Sequence, residues 1–175
     1  MSSKRLFLLV EGNDDERFFS KVIVPKFKGI YEWVEVWKYS QQGKKRVKNF
    51  LRSIEAMRAD YIYFGDIDQS PCITAKKEKA LEACRSLKSD KIIIVIKEIE
   101  SWYLAGLDKR STTQLGISFN FPATDDITKE KFNEIIPKKF TSRIDFMSEI
   151  VKHFSIDAAK QKSKSFKYFY EKHIQ

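Results

Sequence analysis

Three short apolar runs, Leu6–Val10, Tyr61–Gly65 and Ile92–Ile96, each lead within two residues into carboxylates, and this pattern constrains the chain more than any other. Leu6–Val10 is continuous in the way a strand covered on both faces must be, and Ile92–Ile96 is the most β-branched stretch present. A fourth run, Trp33–Tyr39, alternates and reads as a strand nearer an edge. Helical spacing separates the runs. Asn13 and Asp14 are N-cap types, after which Phe18, Phe19, Val22 and Ile23 recur until Pro25. Val47, Phe50, Leu51, Ile54 and Met57 mark an amphipathic helix after Gly43, and Ala80, Leu81, Cys84 and Leu87 share another helical face. The order βαβαβαβ predicts an α/β fold with a mainly parallel four-stranded sheet and right-handed crossovers. Residues 1–105 form the expected core. Residues 106–175 read as a helical extension, with a loop through Phe119–Pro122, helices near Thr128–Ile136 and Arg143–Phe154, and a Lys-rich ending that packs on the core or caps it.

In an open parallel sheet ligands bind at the carboxyl ends of the strands. Here those ends carry Glu11 with Asp14, Asp15 and Glu16 behind it, then Asp66-x-Asp68, then Glu98-x-Glu100. Two unit charges about 4 Å apart repel by roughly 4 kcal/mol at an effective dielectric near 20. Such a gathering therefore requires protonation or a divalent cation. Oxygen donors without Cys or His select Mg²⁺ or Mn²⁺ over zinc. If strand geometry continues through the motifs, Asp66 and Asp68 point the same way. Glu98 and Glu100 would do so only if extended, not if a helix through Trp102 starts there. Plainer readings stand beside these: Asp14 as an N-cap, Glu16 as solvated surface, and Glu98 and Glu100 as first-turn acids.

Charge and composition narrow the function classes. The 33 Lys+Arg exceed the 24 Asp+Glu, giving a net charge of +9. A basic surface around an acidic centre suits a polyanion such as DNA or RNA. Only His153 and His173 are present, which excludes a multi-histidine mechanism, and the 2 cysteines do not make a disulfide scaffold. A cytoplasmic location is the default, and no run approaches the roughly 18 apolar residues of a membrane span. Lys44, Lys45, Arg46 and Lys48 open a helix, where cations oppose the helix dipole and so suggest phosphate contact. Lys160, Lys162 and Lys164 lead into Phe166, Tyr168, Phe169 and Tyr170, a mixture suited to single-stranded nucleic acid, although such rings also serve to pack a helix. Trp33, Trp37 and Trp102 read as core.

Leu6–Val10 followed by Glu11-Gly12-Asn13-Asp14-Asp15 resembles the first motif of the TOPRIM fold, and Tyr61–Gly65 followed by Asp66-Ile67-Asp68 resembles its second. Lys97-Glu98-Ile99-Glu100-Ser101-Trp102 looks like the Glu-x-Glu-x-Trp segment of small stand-alone TOPRIM-like proteins of the DUF4276 group, and the family also includes the overcoming-lysogenization-defect (OLD) nucleases. The resemblance covers residues 5–105, with a weaker echo at Ser163-Lys164-Ser165. It implies a Rossmann-like three-layer TOPRIM fold and metal-dependent phosphodiester chemistry. Glu11 matches the family's general acid/base, which also touches metal; Asp66 and Asp68 match its magnesium ligands. Asp15 matches an additional first-motif acid, and Glu98 and Glu100 match the smaller group's acidic segment. The usual third-motif acid is missing, since Gln69-Ser70-Pro71-Cys72 follows Asp68, and Glu98 or Glu100 stands in. Lys97 is placed to steady a non-bridging oxygen, against the plainer reading of a solvent-facing lysine. Three other classes remain: a receiver-like phospho-switch or phosphatase built on Asp14/Asp15, Asp66 and Lys97, a non-catalytic subunit of a separate ATPase, whose phosphate-binding loop this chain lacks, and simple nucleic-acid binding. Oligomeric state is left open.

Overall fold

The first apolar run folds as strand β1 (Arg5–Val10), in a computed structural model that describes residues 4–174. Leu6 through Val10 are all buried, as a doubly covered strand requires. Successive side chains take opposite faces. Phe7 and Leu9 join a cluster with Leu51, Ile54, Tyr61, Leu87, Ile92 and Ile94. On the other face Phe19 packs on Phe64 with ring centroids 4.4 Å apart.

β1 lies between β2 (Trp33–Lys38) and β3 (Asp60–Asp66), parallel to both, and β4 (Ile92–Val95) completes an all-parallel sheet of order β2-β1-β3-β4. Helix α1 (Asn13–Phe18) continues through a single π-type turn, Phe19–Ile23, and a 3₁₀ turn, Val24–Phe27, containing Pro25. The regular helix expected up to Pro25 is thus replaced by a widened and then a tightened turn. Helix α2 (Lys44–Ala56) sets Phe50 edge-on to Phe7 at 5.4 Å. Helix α3 (Ile73–Ala83) follows β3 and ends sooner than expected: Cys84 is already extended, and Leu87 reaches the core from beyond the helix. Helical layers on both faces of the sheet make the three-layer α/β architecture expected from the sequence. Trp33, expected in the core, is 58% exposed on the edge strand, because β2 has a neighbour on one side only.

Packing divides the chain into two compact units, Met1–Ile94 and Val95–Gln175. The segment bearing Glu98 and Glu100 therefore packs within the second unit. That unit is helical: α4 (Ile99–Ala105), α5 (Lys109–Leu115), α6 (Lys129–Glu134), α7 (Arg143–Lys152), α8 (Ile156–Lys162) and α9 (Lys164–His173). Asp108, Thr128, Ser142, Ser155 and Ser163 cap five of these with side-chain oxygens, which explains where each begins. Trp102, wholly buried, donates its indole N–H to the Ser165 hydroxyl at 2.9 Å and stacks on Phe169. Among the described residues no helix is long and apolar enough to cross a membrane.

Candidate functional site

Strand order fixes where a crevice can open. From β1 the chain crosses to β2 on one side, then returns past β1 to β3 on the other. The connections thus diverge between β1 and β3, and ligands bind at the carboxyl ends of such a switch point. Leu9 is registered with Tyr63. Carried two residues onward, this register sets Glu11 level with Gly65, one residue before Asp66. Both acids are half-buried.

Two tyrosines lie near Glu11, and the sequence reading passed over both. Tyr39 and Tyr63 stack at 4.6 Å, and the Tyr39 hydroxyl donates to the Phe64 carbonyl at 2.8 Å. Burial first, and then Tyr63, Glu11 and Asp15, hold the Tyr39 phenol well above its ordinary range. Burial also raises Tyr63, partly offset by Tyr39, with Glu11 and Asp68 adding to the rise. Both rings therefore feel the Glu11 charge. The available signal was positional: Tyr39 follows β2 at the same sheet edge, and Tyr63 shares its face of β3 with Gly65.

Asp14, Asp15, Glu16 and Asp68 have local partners. Asp15 is buried and accepts the Gly12 N–H at 3.1 Å, the returning half of a capping box, so it holds the entry to α1. Gly12, not Asn13 or Asp14, occupies the cap position. Asp14 pairs with Arg17 at 2.7 Å, and Glu16 with Lys38 at 2.7 Å. Asp68 does not share a strand face with Asp66. β3 ends at Asp66, and Asp68 sits in a left-handed turn (φ 48°), 59% exposed and ion-paired with Lys76.

In the second unit, Glu98 and Glu100 do not form an extended pair either, because α4 begins at Ile99. Glu98 precedes that helix and accepts the Lys129 N–H. Glu100, 4% exposed, is ion-paired with Arg143, whose guanidinium also contacts Asn133 and lies over the Phe132 ring. Lys97 is exposed in a left-handed conformation (φ 65°).

The basic candidates separate in the same way. Lys44, Lys45 and Arg46 are exposed on the first turn of α2. Lys160 lies over the Tyr170 ring at 5.6 Å, and Lys164 is exposed while its backbone N–H bonds Asp125. Lys162 points inward to the Leu107 carbonyl, and burial lowers its ammonium below the usual range. Phe166 and Phe169 are fully buried, so those rings belong to the core.

Among the described residues no three His, Cys, Asp or Glu side chains already gather as a metal cage. Mg²⁺, however, is usually held by one or two carboxylates with waters and substrate phosphates completing its shell. Glu11 and Asp66, both oxygen donors at the ends of neighbouring strands, fit that chemistry.

These features define a class of fold: a parallel three-layer α/β sheet with carboxylates at its switch point. No protein-family model and no curated protein sequence matches the chain. Solved structures do: the chain is similar to the C-terminal region of the Burkholderia pseudomallei OLD protein, with a TM-score of 0.53, 12% identity and coverage of 98% of each chain. The C-terminal region of the Xanthomonas campestris pv. campestris OLD protein superposes with a TM-score of 0.49 and 14% identity over 97% of this chain and 93% of that one. The first likeness shows a shared fold that extends through the helical stretch after β4.

Proposed function

We propose that the chain is a metal-dependent phosphodiesterase of TOPRIM type acting on DNA or RNA. The observation that supports this reading is the β1–β3 register, which brings Glu11 level with Gly65, one residue before Asp66, at the switch point. Glu11 and Asp66 would hold Mg²⁺ or Mn²⁺, and Asp68 would join them on release from Lys76. A bound divalent ion supplies charge neutralisation at the phosphoryl oxygens and a more acidic water. Glu11 is the proton acceptor from the attacking water, since its carboxylate stands at the crevice. The stacked tyrosines, kept protonated, shield one side of Glu11 from solvent without adding negative charge. Asp15 holds the Glu11-Gly12 turn through the Gly12 amide. The net charge of +9 favours encounter with a polyanion.

The test is cleavage of plasmid, linear and single-stranded substrates with Mg²⁺ or Mn²⁺. Glu11→Gln and Asp66→Asn should each lower the rate about 100-fold or more. Cleavage equal to wild type in both variants removes these roles. A second reading, to which the likeness to a C-terminal region of another protein lends support, is a subunit that works with a separate ATPase. Turnover that begins only when such a partner is added supports it.

A further inference from the structure

The amino end of the strands carries a basic concavity. Where β3 and β4 begin, a concavity of about 500 Å³ opens, within the size range of small-molecule pockets. Five cations line it: Arg52 from α2, Arg58 after it, Arg85 and Lys88 after α3, and Lys91 before β4. The acids in its lining are Glu55 and Asp60, which leaves a net +3 (five cations less two acids). Asp60 is already engaged, accepting the Tyr31 hydroxyl at 2.9 Å and facing Lys91 at 3.5 Å. Among the described residues Arg52, Arg58, Arg85 and Lys88 have no carboxylate partner.

Arg58 adds an independent observation. The Arg58 N–H donates to the Glu55 carbonyl and the Ala59 N–H to the Ile54 carbonyl, so α2 ends in a Schellman motif. Arg58 occupies its left-handed position at φ 53°, where glycine is the favoured residue. An unpaired guanidinium is thus held over the pocket from a backbone conformation that disfavours any side chain. Leu51, Ile54 and Tyr61 supply an apolar wall.

We infer that this pocket binds a compact polyphosphate, of the nucleoside di- or triphosphate class. A terminal phosphate carries roughly −1.5 to −2 near neutral pH, so two linked phosphates, about −3, balance the lining. Guanidinium groups suit phosphate oxygens because they donate in pairs. Cations gathered around one concavity, rather than drawn out in a stripe, favour a compact ligand over a polymer backbone. The 7 residues of β3 set this pocket roughly 20 Å from Glu11, so it is a separate site and does not depend on the cleavage reading.

Calorimetric titration of the whole chain with pyrophosphate and with ADP, free of divalent metal, tests the inference. Saturable binding is expected, weakened about tenfold or more in Arg52→Gln/Arg85→Gln. Arg58→Gly should also weaken it several-fold, while the melting temperature without ligand stays equal or rises, since glycine suits that backbone. Absence of saturable binding at millimolar concentrations, or unchanged affinity in both variants, overturns the inference. So does a single-stranded oligonucleotide that binds through these arginines when ADP does not.

Discussion

Glu100 and Asp15 show how an acid can match a catalytic pattern and yet be held by its surroundings. Glu100 is buried against Arg143, so Glu100→Gln leaves a guanidinium over Phe132 without its counter-charge. Breaking a buried pair on one side costs about 3–5 kcal/mol, and the partial exposure of Arg143 brings the expected loss to about 2 kcal/mol, read by urea denaturation. Unchanged stability with abolished cleavage would instead make Glu100 a ligand. Asp15→Ala removes the cap on Gly12 and should cost about 1 kcal/mol. Its effect on cleavage should be smaller than that of Glu11→Gln. The tyrosine wall makes a pH prediction. A phenol whose folded pKa is raised stabilises the fold fully below its unfolded value of 10.0 and loses that contribution as pH rises through the higher folded value. Stability should therefore fall above about pH 10, and less steeply in Tyr39→Phe, as seen in thermal melts across alkaline pH. Equal slopes in the two proteins would mean that the Tyr39 phenol is not in a dry environment. The strand-end positions of Glu11 and Asp66 were legible because a strand end needs only an apolar run and its next residue. The tyrosines were not, because an aromatic in a strand has the same signature whether it faces core or crevice. Asp68 was misplaced because a period-two argument holds only inside a strand, and β3 stops at Asp66.

At the level of elements, α4 and α9 depend on one hydroxyl. Ser165 Oγ accepts from both the Trp102 indole N–H at 2.9 Å and the Ile96 backbone N–H at 3.2 Å. Ser165→Ala strands two donors, and each unsatisfied buried group costs about 1–3 kcal/mol. The expected destabilisation is about 2 kcal/mol or more, with altered Trp102 fluorescence. A loss below about 0.5 kcal/mol would mean that water replaces the hydroxyl. The strands were readable from hydrophobicity alone, and the caps Thr128 and Ser142 match the two extension helices read from the sequence. The ends of α1 and α3 were not readable. Apolar spacing continues across the π turn and past Ala83, and it takes tertiary packing to decide that Leu87 reaches the core from a non-helical segment.

For the molecule as a whole, alternation of β and α runs was enough to give a parallel sheet, and the likeness to an OLD protein's C-terminal region extends the shared fold over 98% of the chain. The division at Ile94/Val95 left no trace in composition, since it falls inside a strand of β-branched residues rather than in a Pro- or Gly-rich linker. The strand order β2-β1-β3-β4 makes the Glu11/Asp66 edge the natural place for a ligand. Anomalous scattering from crystals grown with Mn²⁺ tests that placement most directly. The account predicts a peak coordinated by the carboxylate oxygens of Glu11 and Asp66. A peak bound only by Glu98 or Glu100, or by neither Glu11 nor Asp66 in crystals of protein that cleaves with Mn²⁺, would contradict it.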